Sequence, residues 1–592
     1  MSPMLPPIGL AVVVLASIAP ESRAADPTWT ARYEVRFGAT EKGIPKADVY
    51  VALEWIGKPA PRPPWVDVGM ADDAFPGGYG AFVRDFRPAE TKRLDERLGR
   101  HHLPVADDGS VAFDYSVVLE HDAAGWGPGP DEAPYAFDGG AFWTGRALFV
   151  TPPRCRFEVT LAAPPGEHVS TSFAPVEARP GAFAVESEAR LRDSFLMVGR
   201  HAEKTLRVGG ATVTLALAAS LEPSLPHLES SVETFLAAAG DLFRSAPEGR
   251  ILVCGSAGAP KGSFHGGTFS RDVSLLVDSP LGPENRARWV PFVCHEILHL
   301  WIPGPVGFEG QQYWFTEGFT DYYARVLAMR TGAITPDELR ADWKSRIVRA
   351  LDVRTGLSLV EAGESKFSNS TLVYEGGSLA ALCLDLEIRG ATANKKSLDD
   401  VMRGLFSEYS KLPRRVATGR DVARIASAVS GLSLDDFFAR HVNGHEDLPL
   451  EAAFRRAGVA FSRESADLPS LRSIARTLIA CPSMTEAEGG VKVFSTVAEP
   501  FLEDDVIVAV EGRTVASFDD LRRAFRGLVP RQRVAVTVLR KGAPTPLDLD
   551  LGGDPAVAVP TSRFVEVRLD DVPGADVLAL AIRKAIFGEN RS

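Results

Sequence analysis

Cys294-His295-Glu296-Ile297-Leu298-His299-Leu300-Trp301 is the stretch on which the reading of this chain turns. On a helix, residues four apart share one face, so His295 and His299 stand one above the other, close enough to bind a single Zn²⁺. Glu296 then points near the same metal and can hold its water. Pro291 suits a first helical turn, and the apolar residues after it permit a buried helix.

Working outward, a hydrolytic zinc centre needs a third protein ligand and an open position for water. Tyr313-Trp314-Phe315-Thr316-Glu317-Gly318-Phe319-Thr320-Asp321-Tyr322-Tyr323 offers Glu317 on a second helix, eighteen positions after His299. Asp321 follows one turn later on the same face and can accept the outer N–H of a ligand histidine, fixing its tautomer and ring orientation.

The rest of the chain frames this site. Its 592 residues are 45% apolar and 24% charged, enough for several domains with ordinary cores, and they exclude disorder, collagen and a small disulfide scaffold. A net charge of −12 with no basic stripe argues against nucleic acid as a partner. Ile8–Ile18 is an apolar run of 11 followed by Ser22-Arg23-Ala24, a small-x-small cleavage pattern. The run is too short to span a bilayer and fits a signal peptide, so the chain is expected to be exported, to the periplasm or the extracellular space. No later apolar run is long enough to make an integral membrane segment in the mature chain. Cys155, Cys254, Cys294, Cys383 and Cys481 are scattered and odd in number, as buried thiols are.

Alternating stretches such as Tyr33–Phe37, Ala112–Val118 and Arg156–Leu161 read as strands between Gly/Pro/Asp clusters, which suits a sandwich. Pro223–Pro226 marks a boundary, after which helical periods dominate to about residue 445. Strand, strand, helix and strand then follow between Val491 and Leu539. Gly552–Thr561 reads as a linker, and a helical stretch near Asp576–Phe587 closes the chain.

With these residues in view the chain resembles the glycyl-aminopeptidase family, gluzincins related to thermolysin and to the larger zinc aminopeptidases. CHEILHLW, WFTEGFTDYYA and the segment Tyr374–Arg389 carry the resemblance, with further support from Val83–Phe86, Ser397–Met402 and Asp435–Phe438. Asp504–Phe525 is similar to the PDZ module of such proteins. The resemblance implies a multidomain chain: a signal peptide (1–24), an N-terminal β-sandwich-like domain (25–222), an α+β thermolysin-like, mostly helical catalytic domain (223–463), a PDZ-like α/β domain (464–551) and a linker and tail (552–592). It implies one Zn²⁺ per chain, held by His295, His299 and Glu317. Zinc-activated water would then hydrolyse the peptide bond, with Glu296 as general base and Tyr374 as oxyanion stabiliser.

One departure bears on the substrate, a peptide or protein. The family's Gly-Gly-x-Glu-His segment, whose carboxylate holds the substrate's free amine, corresponds here to Gly266-Gly267-Thr268-Phe269-Ser270, so Phe269 stands where the Glu should be. Gly266, Gly267 and Phe269 are therefore the expected substrate-binding residues. An aminopeptidase is the first expectation. An endopeptidase or dipeptidase with an apolar pocket at Phe269 is the second, and Glu375 or a loop acid can instead supply the anchor. A non-catalytic peptide-binding protein is the third. The PDZ-like region offers a weak site for a peptide C-terminus, since the glutamates in Met484–Gly490 repel a carboxylate.

Overall fold

The computed structural model describes residues 28–588 apart from 58–60, 71–77, 88–91, 96–98, 121–132, 260–262, 353–355, 412–414, 470–473, 475–482, 488, 495–499, 503, 530 and 552–560. The expected signal peptide, Cys481 and all of the expected linker except Thr561 lie outside the described residues. The chain divides into two compact units, one formed by Met1–Asp342, Thr355–Gly458 and Pro573–Ser592, the other by Trp343–Arg354 and Val459–Val572.

In the first unit, a seven-stranded sheet contains Trp29–Ala39, Pro45–Trp55 and Ser110–Val118 as adjacent strands with Cys155–Ala162. Period-2 alternation sorts its side chains. Ala31, Tyr33 and Val35 are buried, whereas Arg32, Glu34 and Arg36 meet solvent. Trp143, Leu196 and Val198 from a four-stranded sheet complete the same apolar core.

The sheet that carries the metal-binding motif begins earlier than the boundary expected at 223. Its order is His201–Val208, Gly210–Ala218, Glu248–Ala257, Asp272–Val277 and, at the edge, Phe264–Phe269. The prolines around 223–226 end no domain. Pro223 sits in a short 3₁₀ turn, and Pro226 lies in the first turn of the helix Leu225–Phe243, where its missing N–H costs nothing. The edge strand runs antiparallel to Asp272–Val277, pairing Gly266 with Leu275 and Phe269 with Asp272.

The motif helix spans Arg286–Leu298, with Pro291 in its interior rather than in its first turn. The helices Gly318–Arg330 and Gly377–Ala391 approach at two glycines. A Cβ on Gly318 would lie 2.4 Å from Gly377 Cα, and one on Gly377 would lie 2.3 Å from Trp314 O. Asp385 is buried among hydrogen bonds from Tyr322 Oη (2.6 Å), Arg389 Nε (3.1 Å) and the backbone N–H of Leu398 (2.7 Å). That network ties three helices together without leaving a buried charge unpaired. The C-terminal helix Val577–Phe587 also belongs to this unit. Asp576 caps it by accepting the Ala579 N–H, and Phe587 stacks on Phe454 at 6.0 Å.

The second unit holds a sheet ordered Ser483–Ala487, Gly490–Phe494, Val506–Val510, Arg533–Arg540 and Ala543–Asp550, with the helix Phe518–Ala524. Val459–Pro469 pairs with Thr561–Asp571, so the segment after the expected linker starts as a strand. Glu486, expected to repel a peptide carboxylate, accepts the N–H of Phe518 at the start of the helix (2.7 Å).

Candidate metal centre

His295 stands on the last turn of the motif helix and His299 caps its C-terminal end, while Glu317 lies between the short helix Tyr313–Thr316 and Gly318–Arg330. All three side chains are buried. His295 Nε2 is 3.0 Å from His299 Nε2, and Glu317 Oε2 is 3.3 Å from the first and 3.6 Å from the second. Tetrahedral zinc with ligands at about 2.0–2.1 Å separates its donor atoms by about 3.3 Å, so the three atoms fit one ion.

The surroundings fix each ligand. His295 Nδ1 lies 3.4 Å from Asp321 Oδ1, and Asp321 is itself paired with Arg325. His299 Nδ1 lies 3.0 Å from the carbonyl of Ile302, which leaves Nε2 for the metal. Glu317 presents Oε2 to the imidazoles while Oε1 accepts from Lys366 Nζ at 2.8 Å. Lys366 is buried, with its ammonium 4.8 Å from the centre of the Tyr313 ring and 5.6 Å from that of Tyr374. Against its burial, Lys366 and the two imidazoles hold Glu317 well below the usual carboxylate range. Burial pulls His299 down, keeping it neutral and ready to ligate. His295 is held up at about 10 by Asp321 and Glu317 against its own burial.

Glu296 is fully buried beside the ligands, and burial pushes its carboxyl up to about 8 although His295 pulls the other way. Its Oε1 has no hydrogen-bond partner among the described residues. The edge strand forms the wall behind it. Thr268 Oγ1 lies 2.8 Å from the Glu296 main-chain oxygen, to which it donates, and 3.3 Å from Oε2. A Cβ on Gly266 would fall 2.8 Å from Glu296 Oε1 and 2.8 Å from Phe292 Cζ. Gly266 thus clears room for Glu296. Tyr374, in a π-helical segment Leu372–Gly376, lies with its ring centre 6.0 Å from that of His295.

Phe269 does not join this assembly, which corrects its expected role as a substrate-binding residue. Strand alternation turns Phe264, Gly266 and Thr268 toward the motif helix and His265, Gly267 and Phe269 the other way. The Phe269 ring packs 4.9 Å from Phe195, with the Arg146 guanidinium 4.1 Å above its face. Gly267 shares that opposite face. Arg271 leans on Gly249 and lies 3.7 Å from Glu186. Glu375 is buried. Lys366 and Thr268 were not singled out from sequence: a lone lysine in a loop carries no pattern, but Thr268 sits two residues from Gly266, and the period of a strand puts them on one face.

A sequence model described as M61 glycyl aminopeptidase matches residues 307–381, which hold Glu317, Lys366 and Tyr374. No curated protein matches the chain in sequence. Among solved structures, an aminopeptidase N family protein from Idiomarina loihiensis superposes with a TM-score of 0.67 at 16% identity, covering 94% of this chain and 100% of that one. An M1 zinc metallopeptidase from Deinococcus radiodurans gives a TM-score of 0.47 at 15% identity, over 72% of this chain and 95% of that one. Residues 307–381 therefore carry the mark of a peptidase, and the Idiomarina loihiensis structure adds the fold. That segment, rather than the whole chain, matches the M61 glycyl aminopeptidases.

Proposed function

We propose that the protein is an exported zinc aminopeptidase, with one ion held at its catalytic centre by His295, His299 and Glu317. The observation that carries this reading is the buried convergence of those three donor atoms beside a carboxylate, Glu296, whose Oε1 has no partner among the described residues. The three donors would hold a zinc ion, which would supply the Lewis-acid charge for polarising a peptide carbonyl and acidifying water. Glu296 takes a proton from the attacking water and returns it to the leaving amine. Thr268 restrains the Glu296 side chain during both transfers. Tyr374 donates its O–H to the oxygen that gains charge as the carbonyl is attacked. Lys366 keeps one Glu317 oxygen occupied, so that the other stays with the imidazoles.

The edge strand Phe264–Phe269 supports binding of an extended peptide, because a strand at a sheet edge offers backbone N–H and C=O groups for pairing. An apolar pocket at Phe269 loses its support, since that ring faces away from Glu296, and the aminopeptidase reading is put first; the absent amine-anchoring Glu, with Phe269 and Ser270 in the Glu and His positions, still speaks for an endopeptidase or dipeptidase. The non-catalytic reading is set behind this one, since the three donors and Glu296 stand together in one buried site. Export rests on the sequence of residues 1–24, and among the described residues no helix is long and apolar enough to cross a membrane. The Ser483–Asp550 region is assigned the PDZ-like role of guiding substrate rather than gripping a C-terminus. The test is cleavage mapping of a peptide library, half with free and half with blocked N-termini, using zinc-loaded protein and Glu296→Gln. Trimming of free termini alone, lost in the variant, is the expected result. Internal cleavage of blocked peptides would overturn the aminopeptidase assignment, and no cleavage of either would overturn the peptidase mechanism.

A further inference from the structure

A second cluster of metal-type donors lies in the first unit. His168 and Ser170 project from the strand His168–Thr171, and His201 and Glu203 from the strand His201–Val208. The two-residue spacing puts each pair on one strand face, the arrangement by which β structure presents two ligands together. The strands belong to different sheets, yet the chain brings them side by side: His168 pairs with Gly199, and Arg200 then turns directly into His201. One donor atom from each of His168, His201 and Glu203 lies within 4.8 Å of the others, and the imidazole centres are 4.0 Å apart.

Counting protons shows what the cluster lacks. Ser170 Oγ is hydrogen-bonded to Glu203 Oε2 and lies 2.6 Å from His201 Nε2. An ionised carboxylate only accepts, so the single hydroxyl proton goes to Glu203 and Nε2–H of His201 donates to the serine oxygen. That contact occupies Nε2 of His201 and leaves Nδ1 as the ring's other nitrogen. Nδ1 is buried and has no hydrogen-bond partner among the described residues. A buried ring nitrogen without a partner is costly, and a cation bound by the cluster relieves that cost.

We propose that His168, His201 and Glu203 form a second divalent-cation site, of the zinc class, that clips the strand His168–Thr171 to the strand His201–Val208. Two imidazoles and a carboxylate suit Zn²⁺ better than Mg²⁺ or Ca²⁺, which favour oxygen donors. Ser170 orients the set through its two hydrogen bonds. His168 and Glu203 are exposed, so the ion enters from solvent and water can complete its coordination.

The test is zinc stoichiometry of the full chain, stripped with a chelator, dialysed against excess free Zn²⁺ and analysed by metal mass spectrometry. Two ions per chain are expected in the unaltered protein. His168→Ala and Glu203→Gln, both at exposed positions, should each bind one, with peptidase activity unchanged. His295→Ala should also bind one, and His295→Ala combined with His168→Ala none. One ion in the unaltered protein at a zinc concentration tenfold above that saturating activity would overturn the proposal. So would two ions retained in His168→Ala, since the second would then lie elsewhere.

Discussion

The two faces of the edge strand Phe264–Phe269 are built from adjacent residues and do different work. One face, Phe264, Gly266 and Thr268, meets the motif helix: Phe264 packs on Phe292 at 5.3 Å, Gly266 leaves space for Glu296, and Thr268 bonds to it. The other face, His265, Gly267 and Phe269, turns away, with Phe269 in an apolar cluster that includes Phe142, Phe195 and Leu252. Motif letters aligned one below another do not record this alternation. Of two neighbouring residues, Thr268 touches Glu296 and Phe269 is core.

The comparison can be broken or sharpened by substitution. Glu296→Gln should lower kcat by about 10³-fold or more while zinc content and folding persist, because it removes the proton acceptor and little else. Gly266→Ala should cost about 10²-fold in kcat, since its Cβ displaces the flexible end of Glu296 by a fraction of an ångström to about 1 Å. Melting temperature should barely move, and an unchanged kcat would show that the glycine does not set the base. Lys366→Met tests the wall opposite the strand. Zinc affinity, measured with a competing chelator, should fall about 10–100-fold, the usual cost of losing a group that orients a ligand. Thr268→Val removes one buried hydrogen bond worth about 1 kcal/mol, so kcat should fall about fivefold. Phe269→Leu should leave kcat/KM and N-terminal preference unchanged while lowering stability by about 1–2 kcal/mol. A changed substrate preference in that variant would return Phe269 to the active site.

Much of this architecture is legible in the chain itself. Spacing within a helix is rigid, so His295, His299 and the partnership of Glu317 with Asp321 follow from counting by fours. Helices such as Leu398–Tyr409 follow from their caps: Ser397 and Asp400 close the first turn reciprocally. Other features depend on contacts between residues far apart in sequence. Lys366 lies 49 residues from Glu317, and only tertiary folding reveals why an ammonium is buried there. The strands at His201–Val208 and Gly210–Ala218 alternate like those before them, and only pairing with Glu248–Ala257 assigns them to the next sheet. The prolines near 223 mark the start of the helix Leu225–Phe243, whereas the sheet it packs with has already begun at His201.

The π-helical segment Leu372–Gly376 runs directly into the helix Gly377–Ala391. A π turn accommodates one residue more than an α turn of similar length, an insertion that a helix tolerates at the expense of regular hydrogen bonding. Tyr374 is therefore angularly uncoupled from the buried stripe that follows it. Removing one residue here would restore a continuous α-helix and swing everything upstream by about 100°. The Gly318–Gly377 contact could survive such a deletion with the helix still docked, yet the phenol would be aimed at a different quadrant. In evolutionary terms the segment is a dial with discrete stops: single-residue length changes, rather than substitutions, would re-aim or retire the tyrosine.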